Sequence, residues 1–372
     1  STTGLTSQAF GAKNPQALAR ALVQPLLLAL GAGLLIVLFR NPLIDLALSI
    51  VGGSGEVLEQ ARRFLSIRWL SAPASLANLV LLGWLLGVQY ARAPVVLLVV
   101  GNVLNIVLDL WLVMGLHMNV QGAALATAIA EYATLLVGLG MVRKVLVIRG
   151  SSWAMLKTAW AGDFRRLLAL NRDIMLRSLL LQLCFGAVTV FGARLGSDVV
   201  AVNAVLMTML TFTAYALDGF AYAVEAHSGQ AYGARDGSKL LEVWRAACRQ
   251  AGVVALAFAL IYAVFGEHIV ALLTSLPELQ QLADRYVLWQ VVLPVIGVWC
   301  YLLDGMFIGA TRGAEMRNSM AVAAVGFALT LLALPVLGNH GLWLALAVFL
   351  ALRGLSLAVI WRRHWRNNSW FL

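Results

Sequence analysis

Apolar residues in this chain neither alternate nor keep to one helical stripe. They run on for about twenty positions at a time, and short polar clusters separate the runs. Ten such runs occupy residues 22–39, 66–88, 94–116, 121–142, 174–195, 199–224, 246–265, 286–310, 317–337 and 341–361. A helix needs ~20 predominantly apolar residues to cross the hydrocarbon of a bilayer. Runs this long and continuous do not suit barrel strands, so helices must satisfy the backbone in lipid. The pattern predicts an all-α polytopic membrane protein.

Composition agrees with the pattern. With 61% hydrophobic residues, 12% charged residues and a mean hydropathy of +0.86, the 372-residue chain has too little polar surface to enclose a water-soluble core. The net charge of +10 changes the picture only through its distribution. Polar segments alternate sides along the chain, and one side carries 18 of the 27 Lys and Arg, the other 4, with 5 inside runs. By the positive-inside rule the richer side is cytoplasmic. That side includes both chain ends, the polar stretch 143–173 and the Arg362-Arg363-His364-Trp365-Arg366 tail. The expected location is a bacterial-type inner membrane.

The chain also repeats itself. Gln8-Ala9-Phe10-Gly11-Ala12-Lys13-Asn14 returns, type for type, as Gln230-Ala231-Tyr232-Gly233-Ala234-Arg235-Asp236. The register holds further on, where Arg63 meets Arg285, Gly83 meets Gly305 and Gly87 meets Gly309. Self-similarity of this kind marks two copies of one unit. Six runs separate the motifs, so the copies share an orientation and form parallel repeats about an axis along the membrane normal. The expected organisation is an amino-terminal lobe over 1–142, a basic connector over 143–173 and a carboxyl-terminal lobe over 174–372. Copy two has two apolar runs before its motif, whereas copy one begins near its own. The expectation is ten of twelve spans, unless the duplication was unequal from the start.

Local features fill in the outline. Asn14-Pro15 suits a helix start. A charged amphipathic stretch, Glu56 to Arg63, returns as Glu278 to Arg285 and is expected to lie along the membrane interface. Seven basic residues between Arg143 and Arg172, with Trp153 and Trp160 among them, read as an anchor to anionic lipid rather than a nucleic-acid site.

Polar groups inside apolar spans are costly, and each is a functional candidate. Asn102, Asn105 and Asp109 lie three and four apart, on one helical face, and Thr127, Glu131 and Thr134 share a face of the next span. A carboxylate beside amides in an apolar bundle can bind a cation or take a proton. The bland alternative is hydrogen bonding between helices. In copy two, Thr211, Tyr215, Asp218, Tyr222 and Glu225 line one face, a pattern suited to a cationic, partly apolar substrate. Glu225 is close enough to the span end to be merely solvated. Asp304, one turn after Tyr301, lies deep in its span. Arg68, Arg177, Arg194 and Arg249 sit near span ends, where long side chains snorkel. Arg353 is too deep for that and calls for an acid from another span.

Enzyme chemistry has little support. His117, His227, His268, His340 and His364 are scattered, Cys184, Cys248 and Cys300 have no metal-type spacing, and neither a nucleophile motif nor a phosphate-binding glycine loop is present. The 33 glycines suit close helix packing.

Taken together, Ser7-Gln8-Ala9-Phe10-Gly11-Ala12, Asn105-Ile106-Val107-Leu108-Asp109, Gly122-Ala123-Ala124-Leu125-Ala126-Thr127, Leu217-Asp218-Gly219-Phe220-Ala221 and Gly229-Gln230-Ala231-Tyr232-Gly233 carry a resemblance. The whole chain resembles the multidrug and toxic compound extrusion (MATE) transporters and, within them, the DNA-damage-inducible subgroup. That resemblance implies two six-helix lobes around a central cleft and export of drugs and other organic compounds against inward protons or sodium, with no other cofactor. It implies a cation site built from a first-helix acid, which would lie upstream of Ser1, and from the residues matched here by Asn105, Asp109 and Thr127. Asn102 and Glu131 are added by position. Asp304 matches an acid used in sodium-type relatives, but the span 174–195, the seventh helix of the family, offers Arg177 and Gln182 instead of a carboxylate partner, which favours protons. Asp304, Tyr301, Asp218, Tyr215 and Tyr222 are the expected substrate contacts. The expected partners are small organic substrates and membrane lipid, for a chain working as a monomer. The competing readings are a lipid-linked sugar flippase of the same superfamily and an inactive remnant or scaffold.

Overall fold

The repeated motif forms the same joint twice. In copy one α1 (Thr2–Gly11) ends and α2 (Pro15–Leu38) begins within three residues. Lys13 takes a left-handed φ of 53°, Asn14 N–H returns to Ala9 O at 3.1 Å, and the Asn14 side chain accepts from Ala17 N at 3.2 Å. Copy two substitutes Arg235 at φ 54°, Asp236 N–H to Ala231 O at 3.0 Å, and the Asp236 side chain accepting from Lys239 N at 3.2 Å. A left-handed residue closes the first helix, and a side-chain oxygen caps the second.

The computed structural model describes residues 2–51, 55–150, 153–162 and 164–372, the side chains of Val51 and Trp153 excepted. The anchoring role expected of Trp153 therefore falls outside the described side chains. The chain divides into two units, Thr2–Phe164 and Arg165–Leu372. After α1 and α2, the amino-terminal unit contains α3 (Arg40–Val51), α4 (Gly55–Arg68), α5 (Ala72–Gly87), α6 (Arg92–Asp109), α7 (Asn119–Ile148) and α8 (Trp153–Ala159). A 3-10 turn, Trp69–Ser71, joins α4 to α5, and a π turn, Leu110–Gly115, continues α6. The carboxyl-terminal unit contains α9 (Arg165–Leu195), α10 (Ser197–Gly233), α11 (Gly237–Leu273), α12 (Pro277–Asp284), α13 (Val287–Gly309), α14 (Gly313–Thr330), α15 (Leu334–Leu337) and α16 (Asn339–Arg366). Among the described residues ten helices, allowing for these short interruptions, are long and apolar enough to cross a membrane.

Several helices outrun their apolar stretches. α9 begins at Arg165 and α7 continues to Ile148, so most of the polar connector is helical. Beyond the hydrocarbon nothing forces a helix to stop, because water serves the exposed groups as well as lipid tolerates the apolar ones. The amphipathic stretch of copy one also differs from expectation. It forms the first turns of α4, which leads through Trp69–Ser71 into α5, while its counterpart in copy two is the separate short helix α12.

Packing within each unit depends on small residues, as it must where lipid is as apolar as leucine. A Cβ on Gly87 would come within 2.6 Å of Thr6 Cβ and 3.0 Å of Thr3 O, pressing α5 on α1. A Cβ on Gly309 would come within 2.6 Å of Ser228 Oγ and 2.8 Å of Glu225 O, pressing α13 on α10. Ser228 and Glu225 are the register partners of Thr6 and Thr3, so the crossing is conserved between copies. The amino-terminal core gathers Leu18, Leu22, Leu81, Trp84, Leu97 and Val145. Trp84 Nε1 donates to Leu18 O at 3.1 Å. The carboxyl-terminal unit has one cluster around Trp343, Phe327 and Phe349 and another around Phe307, Leu240 and Trp370.

Candidate functional site

In the amino-terminal unit α6 and α7 bring two of the expected residues, Asn105 and Thr127, into contact. Asn105 Nδ2 donates to Thr127 Oγ1 at 3.4 Å, and Thr127 Oγ1 donates to Ala123 O at 3.1 Å. Asp109 lies one helical turn past Asn105 on the same face. Asn105 Oδ1 and Asp109 Oδ1 are both buried and neither has a hydrogen-bond partner. Buried oxygens are almost always paired, and two bare acceptors on one helical face have the chemistry to take a proton or a cation. Asp109 is also the last residue before the π turn, a local widening common at functional positions.

Asn102 and Glu131 do not join that group. Asn102 is exposed, one turn before Asn105. Glu131 is held by Arg68, whose Nη1 and Nη2 donate to its two oxygens at 3.1 and 2.8 Å. Ser75 Oγ also donates to Glu131 Oε2, and Asn78 Nδ2 donates to Glu131 O at 3.0 Å. Arg68 thus points to an acid rather than snorkelling. The clue was present in the sequence: Arg68, Ser71, Ser75 and Asn78 form a polar stripe at helical spacing in an otherwise apolar stretch.

In the carboxyl-terminal unit the expected substrate carboxylate, Asp304 on α13, is already engaged. Arg177 Nη2 from α9 and Arg353 Nη2 from α16 both donate to its Oδ2, at 2.6 and 2.5 Å. The side chains of Arg353 and Asp304 are 5% and 9% exposed. This supplies the partner that Arg353 required. It also corrects Arg177, which turns inward instead of snorkelling. The Arg353 guanidinium lies 5.9 Å from the Tyr301 ring and 5.5 Å from the Phe349 ring, so Tyr301 acts as a wall of the ion cluster. Two guanidiniums on one carboxylate leave one positive charge over, and Asp218 on α10 lies within electrostatic range of all three.

The proposed stripe on α10 is not uniform. Tyr215 and Tyr222 are 71% and 54% exposed, Asp218 is half-buried, and Glu225 is buried rather than solvated. Burial increases toward the end of α10 that crosses α13 at Gly305 and Gly309. Among the described residues neither Tyr215 nor Tyr222 has a side-chain hydrogen bond or a cation–π contact with Asp304 or its arginines.

A second polar hub was not anticipated. Arg312, which caps α14, donates to Glu315 Oε1 at 3.0 Å and to the backbone oxygens of Ser369 and Trp370 at 3.0 and 2.8 Å. Its guanidinium lies 4.9 Å from the Trp370 ring, and His364 Nε2 is 2.8 Å from Glu315 Oε1. Trp370, 1% exposed, packs edge-on to Phe307 with ring centroids 5.1 Å apart. Among the described residues no group of three or more His, Cys, Asp and Glu is arranged to hold a metal ion.

The family model described as MatE matches residues 1–111 and 174–337. The chain is 84% identical over 371 residues to DNA damage-inducible protein F of Escherichia coli strain K12, covering 100% of this chain and 81% of that protein. It is 26% identical over 337 residues to Protein DETOXIFICATION 43 of Arabidopsis thaliana, covering 89% of this chain and 62% of the plant protein. It is 26% identical over 310 residues to the multidrug export protein MepA of Staphylococcus aureus, covering 79% and 65%. In fold it matches a crystal structure of MATE in the bent conformation, with a TM-score of 0.85 at 22% identity over 99% of this chain and 82% of the other.

Proposed function

The chain belongs to the MatE family, and we propose that within it the protein is a secondary active antiporter, exporting small organic compounds by alternating access as protons flow inward. The family membership makes it a multi-pass membrane transporter of the multidrug and toxic-compound efflux type, not an enzyme. The coupling ion, the cargo and the orientation are part of the proposal. The basic ends of the spans support placement in a bacterial inner membrane with the repeated joints on the cytoplasmic side.

The observation that carries the proposal is the pair of bare oxygens, Asn105 Oδ1 and Asp109 Oδ1, beside Thr127. Protons fit this group better than sodium. A hard cation stripped of water takes about six oxygens or more, and this face offers few. A proton needs no such shell: it turns Asp109 from a group that only accepts into one that can donate to a neighbouring acceptor. Asp304 does not compete as a coupling group, because its Oδ2 is held by two guanidiniums.

The test is efflux of a fluorescent organic cation from proteoliposomes driven by a pH gradient. Asp109→Asn is expected to abolish coupled efflux in a protein that remains folded and monodisperse. Unchanged efflux in Asp109→Asn would remove that residue from the mechanism, and efflux driven by a sodium gradient alone would replace protons by sodium. Cargo of the opposite sign, as in a lipid-linked sugar flippase, is the competing reading. It is favoured by the surplus guanidinium at Asp304 and opposed by the nearby Asp218.

A further inference from the structure

The last turns of α16 present three arginines with no acid to meet them. Arg362, Arg363 and Arg366 are exposed and, among the described residues, none of their guanidiniums forms an ion pair or a hydrogen bond. They line a concave groove of about 410 Å³ with Val359 and Asn367. The buried and half-buried guanidiniums of this chain meet acids instead: Arg68 has Glu131, Arg177 and Arg353 share Asp304, and Arg317 has Asp173.

The helix surface below the groove has a different chemistry. Leu355, Val359, Arg362 and Arg366 are spaced four, three and four apart, one stripe of a single helix. Leu355 and Val359 are 61% and 54% exposed, so the lower half of the stripe is bare hydrocarbon and the upper half bare guanidinium. On an adjacent face, packed against the core of the unit, Trp361 and Trp365 stack with ring centroids 5.5 Å apart, and Trp244 from α11 lies 6.2 Å from Trp361. The arginines follow directly on the end of the apolar run 341–361, and basic residues flanking a span lie at the headgroup level, with the apolar stripe beneath.

We infer that this end of α16 is a binding site for one anionic phospholipid, its phosphate gripped by Arg362, Arg363 and Arg366 and an acyl chain lying along Val359 and Leu355. Guanidiniums suit the task because their planar forks meet phosphate oxygens two at a time. Charge complementarity selects the anionic lipid, since a zwitterionic headgroup brings its own cation into a groove that holds three. The opposite side of the same turn carries His364 against Glu315, so a bound lipid would brace the segment that fixes Arg312 and the α14 cap.

The test uses the full chain in detergent and native mass spectrometry, counting adducts of phosphatidylglycerol against phosphatidylcholine. The expected result is preferential retention of one phosphatidylglycerol. Each cation near an anionic surface is worth about fivefold in affinity, so Arg362→Gln/Arg363→Gln/Arg366→Gln is expected to weaken retention on the order of a hundredfold. Lys13→Gln/Arg92→Gln, which removes two exposed charges of the amino-terminal unit, is expected to leave it unchanged. Equal loss in both variants would reduce the effect to general basic charge, and full retention in the triple variant would overturn the site. Displacement by millimolar inorganic phosphate, with no weakening in Leu355→Ser/Val359→Ser, would assign the groove to free phosphate instead of lipid. Thermal unfolding of each variant separates loss of lipid from loss of fold.

Discussion

Arg353, near the middle of α16, places its Nη2 2.5 Å from Asp304 Oδ2 on α13 in surroundings that expose 5% and 9% of the two side chains. The pair, extended by Arg177, ties three helices of the carboxyl-terminal unit through one carboxylate oxygen. Removing one member of a buried pair leaves a charge that neither water nor protein answers. Asp304→Asn is expected to destabilise the unit by about 3–5 kcal/mol. Asp304→Asn/Arg353→Met should recover part of that loss, as read by thermal unfolding in detergent. If Asp304→Asn unfolds at the temperature of the parent chain, the cluster is not a structural clamp.

At the proposed proton site the contacts are weaker and the expected effects graded. Thr127→Val keeps the shape and removes the hydroxyl that accepts from Asn105, and Asn105→Ala removes the amide. Loss of one such hydrogen bond is worth about 1 kcal/mol, so each change is expected to slow coupled efflux about fivefold. The double variant should fall short of the product of the two, because both act on one contact. Initial rates of pH-driven efflux measure all three.

Glycine positions divide by what surrounds them. A Cβ at Gly305 would lie 2.6 Å from Ala221 O and 3.1 Å from Val224 Cβ, and the backbone oxygen has nowhere to retreat. A Cβ at Gly252 meets nothing within 4 Å. Gly305→Ala is therefore expected to cost about 1–3 kcal/mol, while Gly252→Ala in the middle of α11 should gain about 0.5–1 kcal/mol from helix propensity. Opposite shifts in unfolding temperature would bear this out.

Trp370 fills a closed space against Phe307, Tyr232 and the Arg312 guanidinium. Trp370→Ala is expected to cost about 3–5 kcal/mol locally and to free the segment after α16. Trypsin should then cut after Arg363 and Arg366 faster than in the parent chain. Unchanged cleavage would show that the backbone contacts of Arg312 suffice without the indole.

The spans and the doubling were legible because each is written in local sequence. Twenty apolar residues in a row need no partner to be recognised, and the motifs at Gln8 and Gln230 keep the same caps and left-handed positions in the fold. The grouping of Asn105 with Asp109 was legible for a similar reason, being a matter of helical spacing. What escaped was the pairing between helices. Glu131 reads as a site residue until Arg68 is seen to grip it, and the partner lies 63 positions away on α4. Asp304 reads as an open carboxylate until two arginines, 127 and 49 positions distant, close on it. Hydropathy ranks residues by environment but not by neighbour, and a buried charge is defined by its neighbour.

The two matching joints, α1 to α2 and α10 to α11, have one further implication. Their backbones follow the same course while their side chains differ, Asn14 for Asp236 and Lys13 for Arg235. They are interchangeable parts. A chain with residues 8–14 and 230–236 exchanged between its halves would still close both joints, much as a hinge from one door fits another cut to the same pattern.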